Sequence, residues 1–110
     1  MFKLAQNVTY LWPVTVELPA EGGKTEQHTF DAKFKLIPQS KIDGYMTGDD
    51  TSDAKIADDI LVGWDGITDE SGDPVPFTAS TKAAILDVPN VRTAIVKAWG
   101  ESLLGSKRKN

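Results

Sequence analysis

The 110-residue chain contains no cysteine and a single histidine, His28. Without thiols it has no disulfide, no thiolate nucleophile and no zinc site of the cysteine type. One imidazole cannot make a histidine cluster. His28 falls at the edge of an expected strand, beside a polar, glycine-containing stretch where a solvent-facing position is expected, so acid–base chemistry near neutral pH lacks its usual agent. No run approaches the ~20 apolar residues that cross a bilayer, and the opening MFKLAQNVTYLW lacks the apolar core of a secretory leader. A cytoplasmic protein without membrane contact is expected. Internal repeats and low-complexity tracts are also missing.

Hydrophobic residues make up 40% of the chain and charged residues 25%, which places it among ordinary globular domains. A chain of this length holds one core, since a typical domain has ~100–150 residues. Residues 1–105 are read as a single domain and 106–110 as a flexible basic tail.

Charge is uneven. The net charge is −4, yet ten acidic residues fall between Asp43 and Asp73 against one base, Lys55, while Lys107, Arg108 and Lys109 carry +3 near the far end. Phosphate repulsion along the acidic stretch argues against nucleic-acid binding by the main body. The stretch reads as a solvated face or as a surface for a basic partner.

Apolar and polar residues alternate over 13–18, with Val14, Val16 and Leu18 on one side, and over 28–37, with Phe30, Ala32, Phe34 and Leu36 on one side. Period two predicts strands, and the polar stretch Pro19 to Gln27 with Gly22 and Gly23 predicts a loose hairpin loop. Four helices follow. The first is expected at 38–46 and the second at 52–63, with Thr51 as cap and Ile56, Ala57, Ile60, Leu61 and Trp64 on one face. The third is expected at 79–86, capped by Thr78 or Ser80 and burying Ala83 to Leu86. The fourth runs over 89–104 from Pro89, with Val91, Ala94, Ile95, Ala98, Trp99, Ser102 and Leu103 in helical period and Gly105 closing it. The fold class is therefore α+β, an N-terminal antiparallel β-hairpin followed by four helices.

Between the second and third helices the chain turns repeatedly through Gly66, Gly72, Pro74 and Pro76. Trp64 and Phe77 bracket this loop, so it is expected to fold back on the core. Its carboxylates Asp65, Asp69, Glu70 and Asp73 do not match a calcium loop, because position three is Ile67 and position twelve is Pro76. Carboxylate neighbours such as Asp58 and Asp59 point in different directions on a helix and cannot share one substrate bond. Gly22 and Gly23 do not open a helix, so no phosphate cradle is expected. No catalytic residue, metal ligand or cofactor site emerges, and a nonenzymatic protein is expected.

What remains is binding surface. Phe2, Leu4, Val8, Tyr10, Leu11 and Trp12 are richer in large apolar side chains than a free terminus requires. They serve either as a further strand over the hairpin or as an interface. The candidate partner-binding residues are Tyr10, Trp12, Val14, Val16, Phe30 and Phe34. The hairpin edge is a second candidate, since an unpaired strand can recruit another chain.

The stretch VGWDGITDESGDPVPF, the LDVPNVRTAIVKAW that follows and the basic GSKRKN resemble the tail assembly chaperones of long-tailed bacteriophages and prophages with noncontractile tails. Trp64, Gly66, Asp73, Pro74, Pro76, Phe77, Leu86, Asp87, Pro89, Val91, Arg92 and Ala94 fall on that pattern, with Trp99 at an aromatic position near its end. The resemblance covers about half the chain and assigns Trp64, Gly66, Pro74, Pro76, Phe77, Pro89 and Trp99 structural places. It implies a cytoplasmic assembly factor of the infected bacterium that holds the tape measure protein, helps recruit the tail tube protein, possesses a capacity to form homo-oligomers, and is absent from the mature virion. In that family a ribosomal frameshift often yields a longer product, and the basic tail fits the unshifted form. Two other readings stay open: a small tail or head-to-tail connector of the virion, and an acidic decoy of a host nucleic-acid-binding protein.

Overall fold

The computed structural model describes residues 8–47 and 52–104. Phe2, Leu4, Thr51, Gly105 and the basic tail lie outside the described residues. Strand β1 (Thr9–Ala20) and strand β2 (Lys24–Lys35) form an antiparallel hairpin running in register from Thr9↔Lys35 to Ala20↔Lys24. Its tip is a three-residue turn, Glu21–Gly23, in which Gly22 and Gly23 take φ of 76° and 75°. Two successive left-handed residues suit glycine, because a Cβ is disfavoured there.

The hairpin is longer than the sequence predicts, and the expected loose loop over 19–27 is mostly paired strand. Lys24 to Gln27 are exposed and carry no apolar alternation, so only the glycine turn and the ladder mark them as strand. Lys24 and Thr25 follow the glycines, and the chain continues there as β2, not as a helix.

Helix α1 (Gln39–Thr47) and helix α2 (Asp53–Ile60) come next. Ser52, not Thr51, caps α2, its Oγ accepting the Lys55 N–H at 3.3 Å. The expectation of a helix to residue 63 is corrected here, because Leu61–Asp65 is a third strand, β3, on the far side of β2. Pairs Asp31↔Asp65, Ala32↔Trp64 and Lys33↔Gly63 precede a bulge, after which Phe34 faces Leu61. Gly63 allows this approach, since a Cβ there would lie 3.2 Å from Lys33 Cδ. Leu61 and Trp64 therefore leave the helical face expected of them and join the sheet.

Helix α3 (Ala79–Leu86) starts with a capping box between Thr78 and Thr81, and helix α4 (Pro89–Leu104) follows a two-residue link. In α3 only Leu86 is buried and Ile85 half-buried. Ala83 and Ala84 are exposed, contrary to expectation, because the helix touches the body along one narrow edge. In α4 Ile95, Ala98 and Trp99 face the core, whereas Leu103 is exposed.

The helices cover one face of the sheet. Even-numbered hairpin residues point inward, and Val14, Ala32 and Phe34 meet Ile60, Leu61 and Ile95 in a fully enclosed core. The opposite face is polar and open to water, as antiparallel sheets allow. α4 runs antiparallel to β1: Asn90 Nδ2 donates to the Glu17 carbonyl at 2.8 Å, and at the other end Tyr10 Oη and Ser102 Oγ are 2.7 Å apart.

Candidate functional site

The hairpin outreaches its support. β3 pairs only with the stretch Asp31 to Phe34, so the half of the hairpin nearer the turn projects past the third strand. Beneath it lies a hollow of about 330 Å³. Its floor is Val16, Leu18 and Phe30, with His28 and Thr29. Gly66, Ile67 and Thr68 of the loop after β3 form one wall, and Ile85 of α3 with Val91 of α4 form the other. Leu18, Phe30, Ile67, Ile85 and Val91 are each half-buried. The volume is at the low end of the ~300–1,000 Å³ range of binding pockets, and six of the ten lining residues are apolar.

The loop wall is held from several sides. Gly66 turns the chain with φ of 92°. The Trp64 indole N–H donates to the Val75 carbonyl at 2.8 Å, and its ring meets Phe77 edge-on at 4.7 Å. Thr68 and Pro74 form an isolated bridge, and Val75 N–H donates to the Ile67 carbonyl at 2.9 Å. Asp69 Oδ1 accepts the N–H groups of Ser71 and Asp73 at 2.9 and 3.1 Å, so this carboxylate serves the turn itself. Thr81 Oγ1 donates to the Pro76 carbonyl at 2.6 Å, which ties the loop to the start of α3. The expected fold-back between Trp64 and Phe77 is thus present.

Glu26 lies across the ladder from Leu18, and its carboxylate is 3.4 Å from His28 Nε2 in the floor of the hollow. Arg92 follows the lining residue Val91, and its Nη1 donates to the Leu86 carbonyl at 3.3 Å.

Of the six residues predicted to meet a partner, Val16 and Phe30 reach this hollow. Val14 and Phe34 are completely enclosed and Val16 is 2% exposed, so their apolar surface is taken up within the chain's own core. Tyr10 and Trp12 sit at the other end of the hairpin, half-buried and in edge contact at 6.5 Å, with Tyr10 also edge-on to Phe34 at 5.9 Å. Sequence reasoning missed Ile67, Ile85 and Val91 as a set. The signal available was Ile67, a lone apolar residue inside an otherwise polar turn.

The outer edge of β1 is poorly suited to strand addition. The bond from Leu36 N–H to the Val8 carbonyl fixes the ladder phase, so odd-numbered residues direct their backbone groups away from β2. Pro13 and Pro19 occupy such positions and offer no N–H, and Asn90 occupies the Glu17 carbonyl. Ala94 and Lys97 of α4 lie beside Pro13 and Thr15. The edge is interrupted by proline and flanked by a helix, two recognised ways of blocking edge pairing.

A second polar cluster joins α1 to α2. The Tyr45 hydroxyl donates to Asp59 Oδ2 at 2.7 Å, Lys55 Nζ donates to Asp59 Oδ1 at 3.1 Å, and Lys41 Nζ lies 3.9 Å away. Burial, and then the bond to Asp59, push the Tyr45 phenol above its usual range. Burial works to raise the Asp59 carboxyl, but the bonds from Tyr45 and Lys55 and the charges of Lys55 and Lys41 outweigh it and hold it below the usual value. Tyr45 also meets Trp99 edge-on at 6.2 Å, so the cluster is a clamp holding α1 on α4. Lys82 Nζ donates to the Asp58 carbonyl at 2.7 Å and lies 3.3 Å from Asp58 Oδ1, joining α3 to α2.

Among the described residues no group of three or more metal-ligating side chains converges, and no helix is long and apolar enough to cross a membrane. Neither a protein-family model, nor a curated protein, nor a solved structure matches this chain.

Proposed function

We propose that this chain is a nonenzymatic tail assembly chaperone of a long-tailed phage or prophage, which holds apolar helical segments of the tape measure protein in the hollow beneath its hairpin. The observation that carries the reading is a coincidence of place. Residues on which the resemblance rests frame the hollow: Gly66 and Val91 line it, Trp64 and Phe77 brace its loop wall, and Pro89 starts the helix that closes it. The half-buried Leu18, Phe30, Ile67, Ile85 and Val91 suit the apolar edge of an amphipathic helix, and Glu26 suits a basic residue flanking it.

In this reading the chaperone acts in the host cytoplasm, keeps the tape measure protein from aggregating until tail tube subunits arrive, and does not remain in the finished particle. The interrupted outer edge of β1 weighs against a connector that joins a ring by strand exchange there. The engagement of Asp58, Asp59 and Asp69 within the chain weighs against a phosphate-mimicking face.

Co-expression with the tape measure protein tests the reading. The expected result is one soluble complex on size-exclusion chromatography with light scattering, lost when Ile85→Glu places a charge in the hollow. A partner that stays insoluble while this chain elutes alone overturns it.

A further inference from the structure

The two edges of the hairpin are unlike. On the outer edge of β1, Pro13, Pro19, Asn90 and the flank of α4 interrupt any added strand. On the other side, the ladder phase set by the bond from Leu36 N–H to the Val8 carbonyl directs the backbone groups of odd-numbered β2 residues away from β1. Asp31 and Lys33 meet β3 there, but β3 ends opposite Asp31. Thr25, Gln27 and Thr29 hold out their N–H and carbonyl groups with no backbone partner among the described residues. Lys24 to Thr29 are all exposed and include no proline. At Gly66 the chain turns off the line of β3 with φ of 92°, and Ile67 and Thr68 go to the wall of the hollow.

The side chains on this edge define what fits it. A strand that extends the line of β3 runs antiparallel to β2, and directly opposed residues share a face. On the inward face such a strand opposes His28, Glu26 and Lys24 in that order. His28 lines the hollow together with Ile67, so the first position takes an apolar side chain. Glu26 favours a basic residue and Lys24 an acidic one. On the open face Thr25, Gln27 and Thr29 suit threonine, as Thr15 and Thr29 already pair across the ladder with their Oγ1 atoms 3.4 Å apart. Exposed charges on an edge deter strands that lack their complement, so this edge is selective.

We propose that the free edge of β2 at Thr25 to Thr29 binds an extended segment of a partner protein by strand addition, antiparallel to β2, with apolar, basic and acidic residues at alternate positions. The backbone groups of Thr25, Gln27 and Thr29 supply the hydrogen bonds, and the mouth of the hollow, Glu26 and Lys24 supply the selectivity. Strand addition here is independent of the phage reading, and its failure leaves that reading as it stands.

The test is a nuclear magnetic resonance titration of the full chain, to several millimolar, with the capped peptide TITKTE, whose isoleucine, lysine and glutamate oppose His28, Glu26 and Lys24. Amide exchange at Thr25, Gln27 and Thr29 is expected to slow about tenfold or more, while Glu26 and His28, already bonded to β1, stay nearly unchanged. Exchanging the lysine and glutamate of the peptide is expected to weaken binding about tenfold at 0.1 M salt and less at 1 M, as the screening length shrinks from ~10 to ~3 Å. N-methylation of the three threonines, whose N–H groups face β2, is expected to abolish binding, and N-methylation of the other three residues to leave it. Gln27→Pro, which removes an outward N–H and no bond to β1, is expected to abolish it too, with circular dichroism verifying the fold. The methylated peptides apply the same criterion to the wild-type chain. Unchanged exchange at Thr25, Gln27 and Thr29, slowing at even-numbered residues instead, or equal binding by the charge-exchanged or threonine-methylated peptide overturns the proposal. Alternate protection that exists without peptide and grows with chain concentration gives the edge to a second copy and overturns it as well.

Discussion

Replacing Trp64 separates the two ways in which the loop wall is held. Trp64→Phe keeps a ring near Phe77 but removes the indole N–H that donates to the Val75 carbonyl at 2.8 Å. A neutral hydrogen bond of this kind contributes about 1 kcal/mol net. Trp64→Ala removes the bond, the 4.7 Å ring contact and the apolar cover over Ala32, its partner in the ladder. Full burial would make that loss about 3–5 kcal/mol, and since Trp64 is half-buried we expect about 2–3 kcal/mol. For a domain of this size 1 kcal/mol shifts Tm by about 4–8 °C, so the phenylalanine variant should melt a few degrees lower and the alanine variant roughly 10–15 °C lower. Urea denaturation measures both stabilities, and hydrogen exchange places them, with faster exchange expected at Val75 and Asp69 before the hairpin core opens. If Trp64→Phe costs as much as Trp64→Ala, the ring contact carries nothing. If neither variant changes exchange in the loop, Trp64 does not brace the wall and the account of the hollow fails.

Other consequences are more local. Gly66→Ala forces a side chain to φ of 92°, so it should cost about 1–2 kcal/mol in urea denaturation although no atom blocks its Cβ closely. Thr78→Ala removes the cap that accepts Thr81 N–H at 3.1 Å and should cost about 1 kcal/mol by thermal melting. The clamp between α1 and α2 makes stability fall at both pH extremes. The Asp59 carboxyl lies below its ordinary 3.8 in the folded state, so its contribution is present above that value and is lost as pH falls through the lower folded value. The Tyr45 phenol lies above its ordinary 10.0, so stability is lost as pH rises beyond that value. In denaturation at stepped pH, Asp59→Asn should flatten the acid limb and Tyr45→Phe the alkaline limb. An unchanged pH profile in both variants would contradict the clamp.

The parts of the fold legible in the sequence were those with a local physical signature. Val14, Val16, Ala32 and Phe34 alternate with polar neighbours, and Thr78 and Pro89 mark helix starts by their own chemistry. β3 was not legible because Leu61–Asp65 continues the apolar run of α2 without a period of its own. Its strand state comes from pairing with β2, where Gly63 admits Lys33 at the position where the expected helix was to end. The cover of the hairpin's apolar face was not legible for a related reason. An apolar strand face reads the same whether its cover is another protein or the chain's own α4, and only the structure shows Val14 and Phe34 already enclosed. The hollow was illegible because it draws single residues from β1, β2, the loop after β3, α3 and α4. None of them, read alone, marks a site.

The central claim is that the hollow receives an apolar helix of the tape measure protein. Hydrogen exchange of this chain, alone and with a soluble amphipathic peptide cut from that protein, tests it most directly. The account predicts new protection confined to the segments around Leu18, Phe30, Ile67, Ile85 and Val91, abolished by Ile85→Glu. Protection on the open face of the sheet around Leu11 and Lys33, or protection that survives Ile85→Glu, would contradict it.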